Sequence, residues 1–219
     1  MKPISEVFHG DCMEFMAGLP NGYFDLGVVD PPYGIGVNSM NMGGRKTIRP
    51  DERTWDDTPP PAEYFTELFR VTKSQIIWGG NYFNLPPSKS FIIWDKGPTM
   101  YGRDFAECEF AWCTSDKPAR IFKGSPVQLN RIHTCQKPVA LYEWILRNYA
   151  KPGDKILDTH LGSQSSRIAA YKLGFDFWGC EIDDDYIREG NARFEKEIAM
   201  PLFDAPKPAL QSHLNFDAL

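Results

Sequence analysis

Apolar and polar positions alternate in blocks along most of this 219-residue chain. Short apolar runs predict β-strands, and stretches with apolar residues at helical spacing predict helices. The predicted strands are 4–8, 25–30, 74–78, 90–94, 107–114, 156–158 and 175–180. The predicted helices are 11–18, 61–73, 137–150, 167–173 and 184–200. Strands that alternate with helices favour a three-layer α/β fold, in which helices cover both faces of the sheet.

A short polar motif, Asp30-Pro31-Pro32-Tyr33, follows directly after the second predicted strand. The two prolines fix φ and remove two backbone donors, so the Asp30 carboxylate and the Pro31 carbonyl remain as acceptors. Such a site suits a flat group that carries an NH2, stacked on Tyr33, and the exocyclic amine of a nucleobase fits this description. The motif taken alone is equally well explained as a strand followed by a Pro-Pro turn.

A second motif lies far along the chain, where a strand ending at Asp158 leads into a small polar loop. The loop contains Gly162 and Ser163, a helix follows, and the next strand ends at Glu181. An acid about 20 residues after such a loop accepts hydrogen bonds from ribose hydroxyls in doubly wound folds. The alternative is an ordinary strand–helix connection, which Glu181 makes less attractive.

Composition indicates a soluble protein, because 42% of the residues are hydrophobic and no apolar run is long enough to span a membrane. The N-terminus lacks a signal-peptide pattern, so a cytoplasmic location is expected. The five cysteines include no C-x-x-C pair, which favours reduced thiols. His9, His133 and His160 show no ligand spacing, so we expect no metal site.

Charge is unevenly distributed in a chain whose net charge is −5. Residues 115–137 hold five basic residues against one acid, and residues 41–53 hold four against two, whereas residues 176–197 are acidic. One basic side could therefore face phosphates, although a mixed, solvated surface explains either patch alone. We expect one domain over 1–200, with a functional loop at 34–58 and a poorly ordered tail at 201–219.

The two motifs, together with the segment His133-Thr134-Cys135-Gln136-Lys137-Pro138, resemble the amino-methyltransferases that act on DNA. The order of the motifs is similar to the circularly permuted, β-type arrangement of that family. The resemblance implies a seven-stranded, Rossmann-like class I methyltransferase sheet. It also implies S-adenosyl-L-methionine as cofactor, double-stranded DNA as partner, a flipped-out target base and a place in restriction–modification.

The resemblance assigns the catalytic role to the Asp30 motif. Asp30 and the Pro31 carbonyl would accept hydrogen bonds from the target amine, Pro32 would stiffen the loop, and Tyr33 would stack on the base. A motif that begins with Asp favours adenine N6, because the cytosine-N4 enzymes more often begin it with Ser. Cytosine N4, or a base in RNA, remains an alternative substrate.

The remaining matches imply contacts with the cofactor. Its methionine part would lie against Asp158, Gly162 and Ser163, and its carboxylate near Lys137. Its ribose would bind Glu181, and its adenine ring would meet Asp11 and Cys12 in a Gly-Asp-Cys turn.

Two positions depart from the family pattern, since His160 stands where Phe is usual and Gln164 stands where Gly is usual. If position 164 requires φ > 0, Gln164 carries strain there, and its side chain would crowd the cofactor. A catalytically impaired subunit that binds DNA or the cofactor is therefore a rival hypothesis. The segment between Phe122 and His133 is also short for target recognition, so the 34–58 loop, facing the DNA, or a second subunit, as in a homodimer, would have to share that task. A nicotinamide oxidoreductase would leave the Asp30 motif unexplained.

Overall fold

The structure is a computed structural model that describes residues 2–36, 56–103, 105–128, 131–133 and 135–199. Its strands are β1 (Ser5–His9), β2 (Phe24–Val29), β3 (Thr72–Trp78), β4 (Ser90–Asp95), β5 (Cys108–Cys113), β6 (Arg120–Lys123), β7 (Lys155–Asp158) and β8 (Asp176–Glu181). Its helices are α1 (Cys12–Ala17), α2 (Ala62–Val71), α3 (Val139–Tyr149), α4 (Ser165–Leu173) and α5 (Asp184–Ala199).

The described strands form one sheet in the order β1-β8-β7-β2-β3-β5-β4-β6. Neighbours from β1 to β3 pair in parallel, β5 pairs antiparallel with both β3 and β4, and β6 pairs in parallel with β4. The sheet therefore has eight strands, one more than expected. The additional strand is β6, a short edge strand whose alternation was too brief to predict it.

Helices cover both faces of the sheet, as the three-layer prediction required. One apolar core packs α3 and α4 against one face, and its members include Leu141, Ile145 and Ala169. The other core packs α1 and α2 against the opposite face through Met16 and Leu68, among others. Because both faces of the sheet are covered by apolar cores, a ligand-binding site is expected at the edge where the strands end.

Most predicted element ends agree with the structure to within one or two residues. Asp11 caps α1, because its side chain accepts a hydrogen bond from the Met13 N–H at 2.7 Å. Helix α3 begins at Val139 rather than at Lys137, since Pro138 has an extended ψ of 144° and is the N-cap residue. Most of the 34–58 loop, with the basic residues of 41–53, and the whole 201–219 tail lie outside the described residues.

Two properties of the described residues bear on the function. None of their helices is long and apolar enough to cross a bilayer. Within the same ranges, no group of three or more His, Cys, Asp or Glu side chains has a geometry that would hold a metal ion.

Candidate active site

Four neighbouring parallel strands place the acidic residues of both motifs at one edge of the sheet. Strands β1, β8, β7 and β2 are adjacent in that order, and their carboxyl ends point the same way. Asp11 follows β1, Glu181 ends β8, Asp158 ends β7 and Asp30 follows β2. In open α/β sheets, ligands bind outside this edge of the sheet.

The Asp30 carboxylate is held at both oxygens. Its Oδ1 accepts a hydrogen bond from the Tyr33 hydroxyl at 2.7 Å, and its Oδ2 forms an ion pair with the Lys137 ammonium. Lys137 is only 3% exposed, and its Nζ also lies 3.3 Å from the Tyr33 hydroxyl oxygen. The lysine that the resemblance assigned to the cofactor carboxylate is therefore bound to the aspartate of the other motif.

Two residues that the sequence analysis did not single out extend this cluster. Glu109 on β5 lies 3.0 Å from Lys137 Nζ through one oxygen and 2.9 Å from Lys96 Nζ through the other. The result is an alternating chain of charges, Lys96, Glu109, Lys137 and Asp30, with no net charge. The signal in the sequence was a single charged residue in the otherwise apolar run Cys108–Cys113.

Burial and pairing oppose each other in this cluster. Burial raises the pKa of Asp30, and the Lys137 ammonium partly counters that rise. Burial alone would lower the pKa of Lys137, but the Asp30 and Glu109 carboxylates outweigh it and raise the pKa. Burial likewise works to raise the pKa of Glu109, yet its two lysine partners bring that pKa below its usual range. Lys137 therefore remains protonated at neutral pH.

The Tyr33 end of the motif is also fixed through its backbone and ring. The Asp56 carboxylate accepts hydrogen bonds from the Tyr33 N–H at 2.7 Å and the Gly34 N–H at 3.2 Å. The ring of Tyr33 stacks on that of Tyr82, with centroids 5.1 Å apart and an angle of 16° between the planes. Hydrogen bonds and stacking thus orient the aromatic residue of the motif.

The second motif is built around a buried carboxylate that no lysine or arginine of the described residues pairs with. Asp158 is 1% exposed and accepts hydrogen bonds from the Ser166 hydroxyl at 2.5 Å and the His160 N–H at 3.1 Å. Burial raises the pKa of Asp158 to about 7, and the nearby Asp30 charge adds to the rise. Burial also lowers the pKa of His160 to about 4, so its ring is neutral at pH 7. That ring lies edge-on to Tyr64, with centroids 5.3 Å apart.

Glu181 connects the loop after β7 to the end of β8. One carboxylate oxygen accepts the Gly162 N–H at 2.7 Å, and the other accepts the Ile182 and Asp183 N–H groups, each at 3.0 Å. Asp11 and Cys12 follow at the end of β1, whose register pairs His9 with Glu181. The residues predicted for the cofactor's ribose and adenine thus lie at neighbouring strand ends.

A direct contact joins the loop of the second motif to Lys137, the partner of Asp30. The hydroxyl of Ser165, the first residue of α4, donates to the Lys137 carbonyl at 2.7 Å. Ser163 lies in the same loop, with its hydroxyl 3.2 Å from that of Ser165. The segment that pairs with Asp30 and the loop that follows Asp158 therefore form one continuous wall of the crevice.

Gln164 adopts the conformation in which glycine would be unstrained, with φ at 60°. Its side chain is buried against α5, where its Nε2 lies 3.2 Å from the Asn191 Oδ1 and its Oε1 accepts from Arg167 at 2.8 Å. A Cβ at Gly190 would lie 2.5 Å from Gln164 Nε2, so the absence of a side chain at Gly190 provides the space. The Gln164 side chain is therefore packed between helices and does not fill the crevice.

The basic segment 115–137 divides into two parts. Arg120 and Lys123 on β6 are exposed, whereas Lys137 is buried between two carboxylates and adds nothing to the surface charge. The described residues also form a groove of about 630 Å³ at the opposite edge of the sheet, lined by Thr72, Gln75 and others. None of the predicted site residues lines that groove.

This strand order and this edge site define a Rossmann-like α/β fold of the kind found in methyltransferases. The family model for N6 and N4 DNA methylases matches residues 77–192, more than half of the chain. The chain belongs to this DNA methylase family. That its motif order arose by circular permutation stays a prediction.

Individual proteins agree with this assignment. The chain is 26% identical to YubD of Escherichia coli (strain K12) over 212 residues, which cover 87% of this chain and 90% of YubD. Among solved structures, the M1.HpyAVI–SAM complex matches 86% of this chain and 98% of its own, with a TM-score of 0.56 and 19% identity. The cytosine-N4-specific PvuII DNA methyltransferase matches 90% and 93%, with a TM-score of 0.57 and 13% identity. At such low identity these structures show the fold alone.

Proposed function

We propose that this protein is an S-adenosyl-L-methionine-dependent DNA methyltransferase that methylates adenine N6. One observation carries the proposal, namely that the Asp30 and Asp158 motifs lie at the ends of adjacent parallel strands and are joined through Ser165 and Lys137. A base amine and a nucleoside cofactor could therefore meet in one crevice. Adenine is favoured over cytosine because the first residue of the motif is Asp.

The donor and acceptor groups of the crevice fit the cofactor. Glu181 supplies a carboxylate for ribose hydroxyls, and Asp158 supplies one for the amino group of the methionine part. Ser163 and the Gly162 backbone line the turn between them, and Asp11 and Cys12 flank the adenine side. When bound, the cofactor supplies a methyl group activated by a sulfonium.

The protein's own groups act on the target amine. The lone pair of adenine N6 is delocalised into the ring, so the nitrogen is a poor nucleophile. Asp30 and the Pro31 carbonyl accept its two N–H groups and favour a geometry that localises the pair. Each carboxylate oxygen of Asp30 has a second lone pair beyond those bonded to Tyr33 and Lys137. The raised pKa of Asp30 also suits it to take the proton that the nitrogen loses.

Lys137 has a different role here from the one first assigned to it. Its ammonium is bound to Asp30 and Glu109, so we assign it to orienting the Asp30 carboxylate. Correct orientation matters because positioning alone can supply roughly 7–11 kcal/mol of rate acceleration. Glu109 and Lys96 are positioning residues that act through Lys137.

The test combines transfer of a labelled methyl group with identification of the product. Purified protein, labelled S-adenosyl-L-methionine and unmethylated DNA should give N6-methyladenine in nucleoside mass spectrometry. Asp30→Ala should abolish the product. Asp25→Ala is the matched control, because Asp25 lies near the other end of β2 and pairs with Lys73 at 2.7 Å, far from the crevice; it should retain activity.

Each other outcome has a defined meaning. Detection of N4-methylcytosine as the product would show that the target base is cytosine and not adenine. Undiminished methylation by Asp30→Ala would overturn the assigned mechanism. Calorimetry that shows no cofactor binding to the wild type would favour the impaired subunit instead.

A further inference from the structure

One face of Tyr33, the ring proposed to stack on the target base, is already in contact with another aromatic ring. Tyr82 stacks on Tyr33 with centroids 5.1 Å apart and the planes at 16°. A flipped base cannot lie on that face while the two tyrosine rings touch. The proposed function therefore requires one of them to move.

Tyr33 is the ring that is held in place. Its hydroxyl is bound to Asp30, and its backbone N–H is bound to Asp56. Gly79, with φ at +69°, packs so closely that a Cβ there would lie 2.2 Å from the Tyr33 Cε1. Phe83 adds an edge-on contact at 6.2 Å between centroids. Any shift of Tyr33 would disturb the Asp30 carboxylate as well.

Tyr82 is the ring that is free to move. It belongs to a single 3-10 turn, Gly80–Tyr82, and is 48% exposed. Its hydroxyl has no hydrogen-bond partner within the described ranges, so stacking on Tyr33 is its main restraint. Stacking between planar rings is tolerant of the identity of the partner, and a nucleobase can replace a tyrosine ring.

We propose that Tyr82 is the second wall of a clamp for the target base. In the free protein Tyr82 occupies the base's place on Tyr33, and on DNA binding it moves outward and closes on the other face of the base. The inference rests on the proposed function and adds a residue that contacts the substrate. It also explains why a large aromatic side chain remains exposed beside the catalytic motif.

Steady-state methyl transfer to unmethylated plasmid DNA tests the clamp. Tyr82→Ala should lower kcat/KM for DNA about tenfold, because one of two stacking partners of the base is lost. The dissociation constant for S-adenosyl-L-methionine should stay at the wild-type value, and the Tm should fall only by the few degrees that one lost ring contact costs. Tyr82→Phe keeps the ring and should retain wild-type kinetics. Tyr82→Leu covers Tyr33 without an aromatic face and should behave like Tyr82→Ala.

Several results would overturn the clamp. An unchanged kcat/KM in Tyr82→Ala would show that the base does not contact Tyr82, and an increased value would show that Tyr82 only obstructs entry. A matching fall in cofactor affinity, or an equal loss in Tyr82→Phe, would indicate a role other than stacking. Absence of transfer by the wild-type protein would overturn the proposed function itself, and the clamp with it.

Discussion

Two aspartates lie at the ends of neighbouring strands of the same sheet, Asp30 partly buried and Asp158 fully buried, yet they are stabilised differently. Asp30 is paired with the ammonium of Lys137 and bonded to the Tyr33 hydroxyl. Asp158 has only neutral donors in the described structure, the Ser166 hydroxyl and the His160 N–H. The first carboxylate is bound to a fixed cation, whereas the second is left to gain or lose a proton near pH 7.

This difference shows how one edge of a sheet can serve two kinds of chemistry. A carboxylate held by a lysine keeps its position, which suits repeated hydrogen bonding to an uncharged amine. A buried carboxylate without a fixed cation gains most when a ligand brings a positive group, because the ligand then relieves the cost of burying the charge. The β2 end is therefore preorganised, and the β7 end responds to its ligand.

The largest expected effect comes from removing the fixed cation. Lys137→Met would leave Asp30 without its ion pair and Glu109 with Lys96 alone, so we expect the free energy of unfolding to fall by about 3–5 kcal/mol. Methyl transfer should be lost as well. Urea denaturation followed by circular dichroism measures the change in stability.

Two variants calibrate that loss. Glu109→Gln keeps the pair between Lys137 and Asp30, so it should cost less than Lys137→Met. Lys172→Met breaks the partly exposed pair with Glu197, and such a pair contributes about 0–1 kcal/mol. If Lys137→Met were no more destabilising than Lys172→Met, the cation at the β2 end would not be the stabilising feature described above.

The second prediction concerns how stability depends on pH at the β7 end. The pKa of Asp158 is about 7 in the folded protein, against an ordinary value of 3.8. As the pH rises from about 4 to about 7, the unfolded chain loses this proton while the folded chain retains it, so this group increasingly disfavours folding. Asp158→Asn removes the titration, and its stability relative to the wild type should increase between pH 5 and pH 7.5 in urea denaturation.

Asp25→Asn is the control for that experiment. Burial works to raise the pKa of Asp25, but Lys73 and the Lys155 N–H lower it overall, so this side chain is ionised throughout the tested range. Its contribution is lost only as the pH falls through still lower values, and the difference from wild type should therefore be constant between pH 5 and pH 7.5. A constant difference for Asp158→Asn as well would contradict the raised pKa.

Local patterns were sufficient to predict the strand ends and the residues that follow them. The apolar runs before Asp30, Asp158 and Glu181 placed these carboxylates at strand ends, and parallel pairing then brought them to one edge. The Asp11 cap of α1 was also predictable, because the Ncap preference acts over three residues. Such features depend on neighbours along the chain.

Contacts between distant segments were beyond the same reasoning. Lys137 meets Asp30 across 107 residues, and Glu109 reaches the cluster only because β5 runs antiparallel beside β3. Gln164 could be recognised as strained at φ > 0, but the direction of its side chain depended on the space beside Gly190. A rule based on local sequence predicted the strain but not the way in which the fold accommodates it.

The smallest expected effect tests that accommodation in the loop after β7. Gly190→Ala would place a methyl group 2.5 Å from Gln164 Nε2, and overpacking of this kind costs about 1–3 kcal/mol. Gly→Ala in a helix is otherwise stabilising by about 1 kcal/mol, so a measured loss in chemical denaturation would come from the contact. Gln164→Gly alone relieves backbone strain, but it loses two hydrogen bonds, to Arg167 and Asn191, and leaves a cavity where the fully buried side chain was, so we expect a net loss of stability. In the double variant Gly190→Ala should no longer be destabilising, which gives a favourable coupling in the double-mutant cycle.

Calorimetry should also find the same affinity for S-adenosyl-L-methionine in Gln164→Gly and the wild type, because the Gln164 side chain is packed against α5. An additive cycle would show that positions 164 and 190 do not interact, and a cofactor affinity that appears only in Gln164→Gly would show that Gln164 obstructs the crevice.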